Sequence, residues 1–173
     1  MKSKSVRLTN TSYALLALVD QLGEATPYEI KQAMDSSIEN FWAVPHTTAY
    51  EEPARLAGGG YMSVQQEEGG RRRKTYALTE EGRTALAAWA GDTTWTPPQI
   101  RDETVLKVFA GADPLALLES RRAWHREKLA ELEGYLEEVR GEGDWQRSEF
   151  ALIAGTAYHR KMLEMLDELD PSA

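Results

Sequence analysis

Hydrophobic residues recur at helical spacing in two segments near the start of the chain. The first segment runs from Thr11 to Leu22, where Gly23 ends it. The second begins with Thr26-Pro27-Tyr28-Glu29, a capping box with proline at the first helical position, where its missing N–H costs nothing. These patterns predict two short amphipathic helices.

A third helix is predicted behind a longer connection. Residues 35–46 form a loop, and the helix follows over residues 47–57, where three consecutive glycines stop it. Pro53 falls inside this helix, where it removes one hydrogen bond and clashes with the carbonyl of Ala49, at a cost of about 3 kcal/mol. A bent or late-starting helix would accommodate this proline.

Strict alternation of apolar and polar residues then replaces the helical spacing. Residues 61–66 and 74–78 alternate as strands do, and Glu67-Glu68-Gly69-Gly70 supplies a turn between them, which predicts a β-hairpin. Thr79 caps a fourth helix. The order of three helices, a hairpin and a helix predicts a mainly α fold in which residues 1–91 form an N-terminal winged helix-turn-helix domain.

Residues 92–173 are predicted to be helical behind a linker. A helix over residues 99–110 precedes a long one that starts at Asp113-Pro114. The long helix carries a heptad seam, which consists of Leu115, Leu118, Arg122, His125, Leu129, Leu132, Leu136 and Val139. Six of these eight positions are apolar, so the strip must pack on another helix.

A last helix is predicted over residues 145–169 and is apolar over more than one face, with Gly155 and Ala151 permitting close approach of a neighbouring backbone. Because this apolar surface is wider than a lone surface helix needs, we expect a C-terminal helical dimerisation region. A two-fold homodimer would hold two recognition helices about one DNA turn apart and would therefore read a pseudo-palindromic site.

The net charge of −8 argues against a nucleic-acid partner until it is divided between the two halves. Residues 1–91 carry 10 Lys and Arg against 11 Asp and Glu, whereas residues 92–173 carry 10 against 17. The first half also concentrates four cations in Arg71-Arg72-Arg73-Lys74. Since the local field decides where a phosphate backbone docks, double-stranded DNA remains a compatible partner of the first half.

Several classes of function are disfavoured. The chain contains no cysteine, and its histidines, His46, His125 and His159, show no metal-ligand spacing, so neither an enzyme nor a bound cofactor or metal is expected. His125 and His159 can meet across two helices, although separate packed or exposed positions are more common. No window suits a membrane span, and no signal sequence is evident, which predicts a soluble cytoplasmic protein without a membrane partner.

The first half resembles the PadR family of transcriptional regulators. The similar stretches, in the family's order, are LTNTSYALL at 8–16, YEIK at 28–31, YEEPARL at 50–56 and GRRRKTYALTEEGR at 70–83. The resemblance implies a DNA-binding homodimer, as a repressor, with aromatic or drug-like small molecules as possible effectors. It also implies that a proline at the place of Pro53 is tolerated.

Base contacts require side chains at the start of a recognition helix, where His46, Thr47 and Thr48 lie. Each threonine is either a base contact or, at Thr47, only an N-cap. His46 is either a base reader or an ordinary loop residue.

Phosphate contacts are expected from Tyr28 and Tyr50, to which the resemblance gives this role, unless one of them is packed. Arg55 lies further along the recognition helix and is expected to neutralise a phosphate.

The hairpin provides the strongest electrostatic signal. Consecutive strand residues point to alternate sides, so either Arg71 and Arg73 or Arg72 and Lys74 would reach the minor groove or its phosphates. The alternative is a solvated turn whose charges serve solubility. A winged helix that had become a protein-interaction module would lose these cations, so their presence favours DNA binding over that second function.

Arg122 and His125 interrupt the heptad seam one helical turn apart. Beside Glu119 and Glu127, they are expected to form a polar layer that sets the register. The second interpretation is an effector pocket at His125, with Trp124 or Trp145 stacking an aromatic ligand. Tryptophans are more often core residues, which favours the polar layer, but the effector pocket remains an alternative.

Overall fold

The computed structural model describes residues 6–67, 72–94, 96–140 and 146–170. The chain divides into two compact units, residues 1–95 and 96–173. This division lies within the segment predicted as a linker.

The first unit is a helical bundle with a small sheet. Its described elements are α1 (Asn10–Leu22), β1 (Glu24–Ala25), α2 (Pro27–Ser36), α3 (Thr48–Gly58), β2 (Met62–Gln66), β3 (Lys74–Leu78) and α4 (Glu80–Ala90). A 3₁₀ turn occupies part of the long connection between α2 and α3. This order confirms the predicted mainly α fold class with its winged-helix domain.

Side-chain caps fix the starts of three helices. At α2, the amide of Glu29 donates to the hydroxyl of Thr26, and the amide of Thr26 donates to the Glu29 carboxylate (2.7 Å), which completes the predicted capping box. The same reciprocal arrangement joins Thr9 and Ser12 at α1. Thr79 caps α4 as predicted. These contacts satisfy amides that a helix start leaves unpaired.

The predicted hairpin is confirmed, and a further strand joins it. β2 and β3 are antiparallel, with Val64 opposite Tyr76 and Gln66 opposite Lys74. β1 pairs with the other edge of β3, so that the sheet has the order β1-β3-β2. The sequence does not predict β1, because two residues are too few for alternation to be recognised.

The core of the first unit lies between α1, α2, α3 and one face of the sheet. Leu15, Ile30 and Leu56 are completely buried, and Tyr76 and Leu78 close the cluster from β3. The alternation of buried and exposed residues along β3 places its inner face on this core. The core therefore holds both the third helix and the hairpin in place.

The second unit contains α5 (Glu103–Phe109), α6 (Leu115–Arg140) and α7 (Gln146–Glu168) within the described residues. The heptad seam of α6 packs against α7, which confirms that it needs a partner helix. Most of the seam is buried or partly buried, and Leu115 at its start is exposed. A β-carbon on Gly155 would lie 3.0 Å from Cδ1 of Leu132, so glycine here allows the two helices to approach closely.

α5 begins later than predicted. The carboxylate of Asp102 accepts a hydrogen bond from the amide of Val105 (3.1 Å), which caps the helix at that point. Asp102 also accepts hydrogen bonds from the guanidinium of Arg121, which joins the start of α5 to α6. Among the described helices, none has the length and apolar character needed to cross a membrane.

Candidate nucleic-acid interface and buried histidine site

The start of α3 is exposed and leaves a threonine hydroxyl unused. Thr47 occupies the N-cap position with helical backbone angles (φ −59°, ψ −25°), and its side chain makes no capping hydrogen bond. Thr47 is exposed, whereas Thr48 is half-buried. The sequence left open that the Thr47 side chain serves only as a helix cap. In the structure it does not cap α3.

Pro53 lies in the middle of α3 with its ring completely buried. The helix begins at Thr48, upstream of the proline, so the late start suggested as an accommodation is wrong. Proline leaves the carbonyl of Ala49 without its helical partner. Burial of the pyrrolidine ring in the core offsets part of this cost.

Tyr28 and Tyr50 are both exposed at the surface, at 61% and 50% of their areas. Neither ring is packed in the core, which was the alternative to phosphate contact. His46 is exposed too, with its Nδ1 3.5 Å from Oδ1 of Asp35. Asp35 also pairs with Lys31, so the end of α2 presents charged groups beside the start of α3.

Arg55 is engaged with three residues of its own unit. Its Nε donates to Oε2 of Glu52 (2.7 Å), its Nη2 to Oγ of Ser12 (2.9 Å) and its Nη1 to the carbonyl of Arg7 (3.0 Å). The hydroxyl of Ser12 also donates to Oε1 of Glu52 (2.7 Å). The hydrogen bonds from Arg55, with a smaller contribution from Ser12, lower the pKa of Glu52. Phosphate contact by Arg55 stays a prediction, and it would compete with these partners.

The hairpin tip, called the wing below, presents exposed cations. Arg72, Arg73 and Lys74 are exposed, and none forms an ion pair with another described residue. Arg71 lies outside the described residues. These cations differ from Arg55, Arg121 and Arg122, which are bound to carboxylates.

The backbone of the wing determines where its cations lie. The amide of Glu67 donates to the carbonyl of Arg73 (3.1 Å), so strand pairing extends beyond β2 and β3. Lys74 lies on the same face of β3 as Tyr76, and Arg73 lies on the opposite face. Hydrogen bonds from Thr26 mainly lower the pKa of Glu29, and the charge of Arg73 contributes to the same shift.

In the second unit, His125 and His159 meet between α6 and α7. Their Nδ1 atoms lie 2.8 Å apart, and both rings are buried. The expectation that these histidines occupy separate positions is wrong. Burial, followed by the charges of His159 and Arg121, lowers the pKa of His125 to about 4. Burial, with the charge of Lys128, also lowers the pKa of His159.

Two half-exposed aromatic rings flank the histidine pair. The ring centroid of Trp124 lies 4.8 Å from that of His125 and 5.3 Å from that of His159. Tyr158 lies 5.2 Å from His159. Trp145, predicted to line the same pocket, is outside the described residues. The sequence did not place Tyr158 at this site, because only the register of the two packed helices brings it beside the histidine pair.

The carboxylates that Arg122 bonds lie across the helix pair and are not Glu119 or Glu127 of its own helix. Its Nε donates to Asp167 (3.0 Å) and its Nη2 to the carbonyl of Leu166 (2.9 Å), both in α7, and its Nη1 donates to Asp170 (2.9 Å), two residues beyond the end of that helix. Hydrogen bonding to Asp170 is the main cause that raises the pKa of Arg122. Arg122 thus joins α6 to the end of α7 instead of pairing within α6.

No group of three or more His, Cys, Asp or Glu side chains within the described residues is placed to hold a metal ion. The chemistry available at these sites is hydrogen bonding, aromatic stacking and ion pairing.

A winged-helix domain with an exposed basic wing and an exposed third-helix start is typical of DNA-binding transcription regulators. Residues 15–88 match the Transcriptional regulator PadR-like family, so the chain contains a PadR-like domain. Its homologues are transcriptional regulators, a non-enzymatic family, which agrees with the prediction that the protein is not an enzyme.

The similarity extends beyond the matched domain. The Negative transcriptional regulator PadR of Bacillus subtilis (strain 168) is 25% identical over 134 residues, which cover 73% of each chain. The crystal structure of Bacillus subtilis PadR in complex with operator DNA has a TM-score of 0.78 at 21% identity and covers 95% of this chain and 98% of that one. The structure of the same protein with p-coumaric acid has a TM-score of 0.69 at 20% identity, with 94% and 96% covered. These structures establish the fold.

Proposed function

We propose that this protein is a repressor that binds a pseudo-palindromic DNA operator as a homodimer and is released by a small aromatic effector. The observation that carries the DNA-binding part is the set of exposed wing cations, Arg72, Arg73 and Lys74, without carboxylate partners among the described residues. Cations that a fold leaves unpaired on a projecting hairpin are suited to neutralise phosphates.

The DNA contacts follow from the exposed residues of the first unit. The start of α3 enters the major groove, where Thr47, Thr48 and His46 face base edges. Tyr28 and Tyr50 place their hydroxyls on phosphates. The wing, from Arg71 to Lys74, follows the minor groove or its phosphates.

Homodimer formation is supported by apolar side chains of the second unit that remain exposed. They are Ile100 (82% exposed), Leu106 (64%), Phe109 (88%) and Phe150 (77%). Single apolar residues at a surface are ordinary, but several large ones in one small unit favour an interface. A two-fold pairing of this unit would present two copies of α3 to two half-sites.

The effector part is supported by the aromatic rings around the histidine pair. Trp124 offers a half-exposed face for stacking, and His125 supplies a ring nitrogen for a phenol or carboxylate group. Trp145 is proposed as a second stacking residue. Because a relative was crystallised with p-coumaric acid, that compound is the first probe to use.

Repression is proposed from the description of the curated relative as a negative regulator. A winged helix acting only as a protein-interaction module would share the fold, but it would not need unpaired cations on the wing. Salt dependence separates the two functions, because DNA affinity falls steeply with ionic strength when several phosphates are neutralised.

The test begins with selection of genomic fragments by the purified protein and measurement of its affinity for a duplex carrying the enriched sequence. The proposal predicts an enriched inverted repeat, protein bound as two copies per duplex, and release by p-coumaric acid that Trp124→Ala weakens. Fragments recovered without any shared sequence would contradict the operator, and an unchanged complex at saturating effector would contradict the release step.

A further inference from the structure

The hydrogen-bonded set of Ser12, Glu52 and Arg55 joins α1 to α3. We infer that this set is a positioning network that fixes the rotation of α3 on α1 and so determines which side chains of α3 read the operator. The inference rests on the proposed DNA-binding function and deepens it, since it assigns residues that determine specificity without touching a base.

The geometry of the network is closed. The hydroxyl of Ser12 donates to Oε1 of Glu52 (2.7 Å) and accepts from Nη2 of Arg55 (2.9 Å). Nε of Arg55 donates to Oε2 of Glu52 (2.7 Å), and Nη1 reaches the carbonyl of Arg7 (3.0 Å), just before α1. Ser12 is completely buried, and the side chain of Glu52 is only 14% exposed. Charge-assisted hydrogen bonds of this kind are directional and short.

The apolar contacts of α3 hold it on the core. Its buried face consists of Ala49, Pro53 and Leu56, of which only Leu56 is long. Apolar contacts are not directional, whereas hydrogen bonds define an orientation as well as a distance. The polar set therefore supplies the directional restraint, because Glu52 and Arg55 lie one helical turn apart on the side of α3 that meets α1.

The exposed face of α3 depends on that restraint. Thr47, Tyr50 and Glu51 are exposed next to the network. Each residue advances a helix by about 100° of rotation, so a modest rotation exchanges which side chains face a groove. Base recognition needs side-chain atoms at hydrogen-bond distance from base edges, and such a shift abolishes it.

The same contacts favour a positioning role for Arg55 over neutralisation of a phosphate. The nitrogens Nε, Nη1 and Nη2 of its guanidinium all donate within the first unit. These hydrogen bonds and a further one from Nη2 to Oε1 of Glu52 use four of the five N–H groups of Arg55, and a phosphate at the remaining one would lie close to the carboxylate of Glu52, which repels the DNA backbone. Held in the network, Arg55 also neutralises that carboxylate.

The decisive variant is Ser12→Ala in the full-length protein, because it breaks two hydrogen bonds of the network and changes no charge. The control is Thr9→Ala, which removes the hydroxyl that accepts from the amide of Ser12 in the α1 capping box and leaves the hydroxyl of Ser12, with its hydrogen bond from the amide of Thr9, in place. Affinity is measured for the selected operator and for an unrelated duplex at several salt concentrations, with a thermal unfolding curve for each variant. Arg55→Lys and Arg55→Ala form the second pair.

The inference predicts that Ser12→Ala lowers the preference for operator over unrelated duplex by about tenfold or more, as expected when one base is no longer read. The salt dependence should stay at the wild-type slope, and Thr9→Ala should keep the wild-type preference even where its melting temperature falls. Arg55→Lys should behave like Ser12→Ala, because lysine keeps the charge but does not have the forked geometry.

Three results would overturn the inference while leaving DNA binding intact. The first is a preference for the operator in Ser12→Ala equal to that of the wild type, and the second is an equally reduced preference in Thr9→Ala. The third is normal binding by Arg55→Lys together with a slope of log affinity against log salt that Arg55→Ala lowers by about 0.9, the value for one phosphate. A wild-type protein that selects no fragment would instead overturn the proposed function and this inference with it.

Discussion

The Nδ1 atoms of His125 and His159 lie 2.8 Å apart at the centre of the α6–α7 pair. A hydrogen bond between them needs one protonated and one unprotonated Nδ1, so two fully protonated rings would place N–H against N–H. The pair is therefore compatible with the folded unit only while at least one ring is neutral. Because the pair is buried, protonating both rings requires unfolding around them, so the free energy of unfolding depends on pH.

The histidine pair should make the second unit less stable in mild acid. The pKa of His125 is lowered from 6.5 to about 4 in the folded state, and the pKa of His159 is lowered as well. Between these values the unfolded chain binds protons that the folded chain does not. Stability is thus full above about pH 6.5 and falls, by about 1.4 kcal/mol per pH unit for one such group, as pH approaches 4.

The measurement is urea unfolding of the helical signal at several pH values. A double variant, His125→Asn with His159→Asn, should flatten the dependence between pH 6.5 and 4.5, because asparagine keeps polar atoms near the Nδ1 positions but does not titrate. His46→Asn, at an exposed position of the other unit, is the control and should leave the dependence unchanged. A wild-type curve that is flat over this range would rule out the depressed pKa values.

Arg122 should matter more for stability than an exposed arginine on the same helix pair. It bonds Asp167, Asp170 and the Leu166 carbonyl, so Arg122→Met leaves that carbonyl and Asp170 without this donor. Arg160→Met removes an exposed ion pair to Glu133, which should have a small effect. Chemical denaturation compares the two variants, and equal midpoints would contradict the role given to Arg122.

Gly82 is required by a close approach inside the first unit. A β-carbon there would lie 2.0 Å from the carbonyl oxygen of Tyr61, so Gly82→Ala should destabilise the unit by about 1–3 kcal/mol or more. Gly58 at the end of α3 has open space around it, and Gly58→Ala should be neutral or stabilising by up to about 1 kcal/mol. Equal effects in thermal unfolding would show that the close approach at Gly82 is relieved cheaply.

Much of the fold is predictable because its signals are local. A few neighbouring residues are enough to predict an element in three cases: the capping box at Thr26, the alternating strands and the heptad spacing of α6. The pairing of Ser12 with Arg55, 43 positions apart, and of His125 with His159, 34 apart, depends on how finished elements pack. No local pattern encodes such a register, so the contacts within the sites could not be predicted.

The exposed apolar residues of the second unit should control self-association. Phe150→Glu, combined with Phe109→Glu, should raise the dimer dissociation constant by several orders of magnitude, because each buried aromatic contributes about 2 kcal/mol or more to an interface. Ala157→Glu is the control at an exposed position of α7 that carries no large side chain. Sedimentation equilibrium that finds the same dimer in all variants would exclude this surface as the interface.

The most direct test concerns the wing. The four residues from Arg71 to Lys74 are changed to alanine, and the affinity of wild type and variant for the selected operator is followed over a range of salt concentrations. We predict much weaker binding by a still-dimeric protein, and a slope of log affinity against log salt reduced by about 0.9 for each phosphate that the variant no longer neutralises. A variant with the affinity and the salt slope of the wild type would contradict the assignment of the wing to DNA.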